Sequence, residues 1–199
     1  MMKRIIYLLA LTTLIACKKE DTTPEKANEL TVGSKVYKFD EAIIENYGQK
    51  SGEGHNNDFW LVTNTIKPIF DDGVINWFTG KGNLLYLELY SNTPNSYEVG
   101  NYSLNDTKKP FTFESGYYIT DADFDEFTGE YSDIISGTVK VISVKPNKIE
   151  LEYELTNDQN QKVKGYYNGP TTVYDYSKNP NARIKNAIVK KSKKRGFKL

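Results

Sequence analysis

Residues 149–155 read IELEYEL, and this strict alternation constrains the chain more than any other feature in it. Ile149, Leu151, Tyr153 and Leu155 fall on one side of an extended backbone, with Glu150, Glu152 and Glu154 on the other. Only a strand turns a period of two into one dry face and one wet face. The strand is preceded by GTVKVISV and the turn KPNK, in which Pro146 and Asn147 supply turn geometry. It is followed by the turn NDQNQ and a further strand, KVKGYYNG. Residues 135–169 therefore read as a three-stranded antiparallel meander.

The same signature recurs upstream. NLLYLELYS places Leu85, Leu87 and Leu89 on one face and Tyr86, Glu88 and Tyr90 on the other. DFWLVTNT and PFTFESGYYIT are two more strands, and SKVYKF, AIIENYG and GNYSL are shorter candidates. Asp72-Gly73, GKGN (Gly80 to Asn83) and TPNS punctuate them as turns. Eight or nine short strands at this spacing, with no helix between 30 and 176 and no fixed repeat, predict an antiparallel β-sandwich. A lipocalin-like closed β-barrel is the alternative. The aromatic content of 13%, dominated by 15 Tyr, suits pleated, half-buried surfaces.

Charge is unevenly placed although the formal net charge is zero. Arg183, Lys185, Lys190, Lys191, Lys193, Lys194, Arg195 and Lys198 fall in the last 17 residues, which contain no Asp or Glu. The rest of the chain is net acidic, which argues against nucleic acid as a partner. The basic tail, residues 181–199, reads either as a solvated terminus or as a segment drawn to an anionic surface such as lipid head groups.

The N-terminus carries an address. Lys3 and Arg4 precede an apolar run, Ile5 to Ala16, too short to span a bilayer as a helix. That run ends in Leu14-Ile15-Ala16-Cys17, and Cys17 is the only cysteine in the chain. It has no partner for an intramolecular disulfide. The stretch resembles the lipobox of bacterial lipoproteins, in which small residues precede a cysteine that is lipidated and becomes the new N-terminus. The resemblance implies cleavage after residue 16, lipidation (palmitate among the acyl chains) at Cys17 and attachment to a lipid bilayer. Residues 17–29, beginning CKKEDTTPEK, are polar and read as a flexible tether to a body spanning 30–180. Lys18-Lys19-Glu20-Asp21 is similar to the charged surface-export signals of Bacteroidota-type lipoproteins. The whole chain resembles the small, exported β-sandwich lipoproteins of that group, which implies the outer membrane and possible exposure at the cell surface.

Catalytic chemistry is hard to assemble from this composition. A Cys–His nucleophile is impossible with Cys17 acylated, and any Ser–His–acid arrangement must use His55, the only histidine. His55 falls in a Gly- and Asn-rich stretch, GQKSGEGHNNDF, which reads as a loop. GKGN lacks the other residues of a phosphate loop. Asp121, Asp123 and Asp125 in DADFDEFTGE alternate like the opening of a calcium loop, but Glu126 and Ser132 occupy the positions of its turn glycine and its bidentate glutamate. A solvated acidic loop is the simpler reading, and no cofactor is implied. Paired carboxylates for glycoside cleavage are defined by separation in space, so the sequence selects no pair. Tyrosines offer more. Tyr117-Tyr118 and Tyr166-Tyr167 are adjacent pairs on strands, so each pair places one ring on each face, and these four are the candidate ligand-binding residues.

The expectation is a non-catalytic binding or accessory module held at the envelope, for glycan or protein. The alternatives are a structural subunit of an envelope assembly and a carboxylate-based hydrolase.

Overall fold

The computed structural model describes residues 26–94, 97–179, 182, 196 and 197. The leader 1–16, Cys17, the tether up to residue 25 and the basic tail, apart from Ala182, Gly196 and Phe197, lie outside them. The last tether residues are pinned: Asn28 takes the Phe39 N–H on its carbonyl (3.0 Å) and the Asn168 N–H on its side chain (2.7 Å).

The molecule is all-β, and among the described residues there are twelve strands. Seven form a ring: β3 (Glu41–Gln49), β4 (His55–Val62), β7 (Lys81–Ser91), β9 (Thr112–Asp123), β10 (Thr128–Lys145), β11 (Lys148–Asn157) and β12 (Lys162–Asp175). Each pairs antiparallel with the next. The ring closes between β12 and β3, and that pair is parallel, Thr171↔Ala42 to Asp175↔Asn46. Seven strands that alternate in direction leave the first and last pointing the same way, so an odd count makes the closing pair parallel. β1 (Glu29–Val32) and β2 (Lys35–Lys38) form a hairpin docked through β1 on β12, and β8 (Gly100–Leu104) wedges between β9 and β10.

The sheet curls so that residues from all sides meet in one interior, which gives the sandwich-like body that the alternation predicts. The hydrogen-bonded closure is the feature it shares with the barrel alternative. Ile149, Leu151, Tyr153 and Leu155 line this interior at 2% exposure or less, together with Leu85, Leu87, Leu89, Phe59, Phe113 and Tyr102. Each fully buried side chain of this size contributes about 1.5–3 kcal/mol. The 135–169 meander is β10–β11–β12, and Asn147 and Asn160 take the positive φ that its two turns demand (56° and 61°).

The strand count exceeds the expected eight or nine because β1, β5 (Lys67–Asp71) and β6 (Val74–Thr79) are short and carry little alternation. β5 and β6 form a separate hairpin on the turn Asp72-Gly73, where both residues have positive φ (50° and 75°). This is the geometry Asp-Gly serves best in a two-residue loop. The hairpin lays Ile75, Trp77 and Phe78 over the outer face of β3, β4, β7 and β9, against Ile43, Trp60, Tyr86 and Ile119. Phe197 joins this second core beside Trp77, Phe124 and Phe127. The GKGN segment is corrected: only Gly80 bends, and Lys81–Asn83 open β7, pairing Lys81↔Asp123 and Gly82↔Ala122. A Cβ on Gly80 would lie 2.2 Å from the Thr65 carbonyl oxygen, so the corner into β7 admits only glycine.

Candidate binding clefts

The wet face of β11 belongs to a five-strand outer wall. Strand register sets its side chains in two rows. One runs Asn101, Lys140, Glu152, Tyr166 and Glu29 across β8, β10, β11, β12 and β1. The next runs Ser103, Thr138, Glu154, Lys164 and Thr31. All of them except Ser103 line a cleft of about 500 Å³ closed on one side by Lys26 and Ala27. Opposite charges meet directly across strands, with Lys140–Glu152 at 3.1 Å and Lys164–Glu154 at 3.2 Å.

Lys26 shows what the cleft favours. Its ammonium lies 2.9 Å from Glu152 Oε2 and 5.1 Å from the centroid of the Tyr166 ring. A carboxylate and an aromatic face thus hold one cation together. Hydrogen bonds from Lys26 and then Lys140 hold the Glu152 carboxyl below its usual range, and the same contact with Glu152 raises Lys26. The Tyr166 hydroxyl donates to Glu150 Oε1 at 2.8 Å, which fixes the ring across the cleft. Gly165 makes room for this wall. The Tyr153 hydroxyl passes beside it to donate to the Glu29 carbonyl at 2.9 Å, and a Cβ there would lie 2.2 Å from each.

Of the four candidate tyrosines only Tyr166 sits in this cleft. Tyr167 is fully buried on the inner face, its hydroxyl 2.6 Å from the Pro170 carbonyl, so that pair divides between the two faces as expected. Tyr117 and Tyr118 also divide between the two faces, but neither ring is exposed, at 3% and 5%. Both faces of β9 are covered there. Tyr118 packs with the interior cluster, while Tyr117 lies tilted between the rings of Tyr86 (4.9 Å) and Tyr131 (5.4 Å) in the second core. His55 is not a loop residue but opens β4, paired with Ser91 and Gln49.

Sequence reasoning missed a ladder of carboxylates in that second core. Glu45, Asp58 and Glu88 stand directly opposite one another on β3, β4 and β7. Trp60 Nε1 donates to Glu45 (2.8 Å), the Tyr86 hydroxyl to Asp58 (2.8 Å), and Asn56 and the Tyr90 hydroxyl to Glu88 (2.9 and 3.0 Å). The signal for them was a charged residue breaking an apolar strand, as Glu45 breaks AIIENYG. Glu45 is fully buried and Asp58 nearly so, and neither lines the large clefts.

The aspartates of the calcium-like run spend their oxygens locally. Asp123 accepts the Asp125 and Glu126 N–H groups on Oδ1 and pairs Oδ2 with Lys81 at 2.7 Å, and the Lys81 contact lowers its pKa. Asp125 accepts the Thr79 hydroxyl (2.5 Å) and the Gly80 N–H (3.2 Å). Asp121 sits at positive φ at the exposed end of β9. No cluster of three or more metal-ligating side chains occurs among the described residues.

A second cleft, of about 570 Å³, opens where the body is not sealed by strand pairing, between the β1–β2 hairpin and the β9–β10 strands. Tyr37, Tyr118, Tyr131, Ser132, Gln159 and Gln161 line it, and Lys35 on β2 bridges its mouth to Glu130 on β10 at 3.0 Å.

No family model, curated protein or solved structure matches this chain.

Proposed function

We propose that this protein is a lipid-anchored envelope protein whose β body binds a partner without transforming it. The observation that carries this reading is the seating of Lys26 between Glu152 and the Tyr166 ring. A cleft that already holds an ammonium this way suits a partner that presents a cation in an extended polar segment, either a protein strand carrying Lys or Arg or an amino-bearing glycan. Asn101, Thr31 and Thr138 add neutral hydrogen-bonding groups along its length. Lys26 belongs to the last stretch of the tether, ahead of β1, so a partner cation that replaces it leaves the β body undisturbed. Such replacement exchanges one cation for another and costs little electrostatically.

Cys17 supplies the anchor in this reading, with a bacterial outer membrane as the site of attachment. The test has two parts. Cys17→Ser should move the protein from the membrane fraction to the soluble one and abolish incorporation of labelled fatty acid; unchanged fractionation and labelling would remove the anchor. For binding, the full chain is titrated with envelope extracts and with a glycan panel that includes amino sugars. Tyr166→Ala and Glu152→Gln should each weaken capture about tenfold, the loss of one cation–π or charge-assisted contact, while His55→Ala leaves it intact. Capture that ignores both cleft variants, or turnover of a ligand that disappears on changing one carboxylate, would overturn the reading.

A further inference from the structure

We propose that the cleft between β2 and the β9–β10 strands is a second binding site, for a neutral, hydroxyl-rich ligand of one or two sugar rings. Its volume, about 570 Å³, lies within the range of small-ligand pockets. Its chemistry differs from that of the Tyr166 cleft. Lys35 and Glu130, the charged groups in its lining, face each other at 3.0 Å and cancel. The rest of the polar lining, which includes Tyr37, Tyr118, Tyr131, Ser132, Gln159 and Gln161, is uncharged and offers flat aromatic surface beside amide and hydroxyl groups. This is the mixture that receives a sugar, whose C–H face packs on a ring while its hydroxyls both give and accept hydrogen bonds.

Tyr118 provides the independent sign of a ligand. The residue is 5% exposed and lines the cleft, and its hydroxyl accepts a hydrogen bond from Asn157 Nδ2 at 2.8 Å. Its own proton has no acceptor among the described residues. A phenol hydroxyl can donate as well as accept, so this O–H is available to an oxygen of a bound molecule. Gln161 is fixed alongside, its Oε1 accepting from the same Asn157 amide at 3.0 Å, so its NH₂ is left to reach the ligand. Behind them, Thr120 lies on the same face of β9 as Tyr118, fully buried, and its hydroxyl has no partner among the described residues. Entry requires only that the Lys35–Glu130 bridge part. Both side chains are more than half exposed, and ion pairs of that kind hold weakly.

The full chain is titrated with glucose, N-acetylglucosamine, maltose and cellobiose while the amide and side-chain resonances are followed by NMR. At least one sugar should shift the resonances of Tyr118, Gln159 and Gln161. Tyr118→Phe and Gln161→Ala should each weaken that binding about tenfold. Lys35→Ala should leave it equal or tighter, and Tyr166→Ala should leave it unchanged. Should Tyr118→Phe fail to fold, Gln161→Ala and Lys35→Ala carry the same comparison. If none of the sugars binds, or if binding survives Gln161→Ala and Tyr118→Phe at full strength, the site is not a sugar site. Loss of sugar binding in Tyr166→Ala instead would assign the sugar to the other cleft and overturn the proposal.

Discussion

Leu87 on β7 and Leu151 on β11 are both fully buried in the same interior, although 64 residues separate them. Truncating either to Ala removes the transfer energy of its side chain and leaves a cavity, so each should cost about 2–5 kcal/mol. Glu152, one residue from Leu151, points the other way and keeps a third of its side chain in water, where Lys26 and Lys140 pair with it. Glu152→Ala should cost under about 1 kcal/mol. The Glu152 carboxyl is held below its ordinary value. Its small contribution is therefore complete above the unfolded carboxyl pKa of about 4.3 and is lost as pH falls through the folded value. Urea unfolding of the three variants at pH 7 checks the order. A Glu152→Ala loss larger than that of Leu151→Ala would place the strand in the opposite phase.

At the scale of elements, β10 does most to shape the body. Its 18 residues pair first with β9, up to Asp133↔Tyr117, and then with β8, from Thr138↔Ser103. The change of partner coincides with a register shift between Ile134 and Ser136 against β11 and with Gly137 at φ 132°. A Cβ at Gly137 would lie 2.4 Å from the Glu154 carbonyl oxygen, which is backbone and cannot yield. The bend therefore depends on one glycine in an extra-residue bulge. Gly137→Ala should cost about 1–3 kcal/mol in backbone strain and about 1–3 kcal/mol more from overpacking. Hydrogen exchange should show the loss concentrated in the β8–β10 and β10–β11 pairs. Exchange and melting temperature equal to those of the parent protein would rule out the glycine as the hinge of the strand.

For the whole molecule, the second layer matters as much as the first. Tyr86 and Tyr117 in the covered outer core and Tyr153 in the interior are all pushed well above the ordinary tyrosine pKa, chiefly by burial. The folded state keeps these protons, whereas the unfolded chain releases them near pH 10. Stability is then complete below about pH 10 and falls as pH rises beyond it, by up to about 1.4 kcal/mol per pH unit for each such tyrosine. Absorbance at 295 nm and near-UV circular dichroism should change together in one alkaline transition, because these rings ionise as the body opens. Smooth titration of every tyrosine near pH 10 with the dichroism unchanged would contradict this burial. The sequence alone determined the strand class, the meander over 135–169 and the inward phase of Leu85–Leu89 and Ile149–Leu155, because alternation is local and its physics needs no partner. It also placed Tyr166 and Tyr167 on opposite faces. Only the tertiary structure decided that β12 and β3 close the ring, that the β5–β6 hairpin and Tyr117 share a second core outside it, and that Tyr118 borders a cleft. Those outcomes depend on which strands become neighbours and on what covers their outer faces, and no residue carries that information by itself.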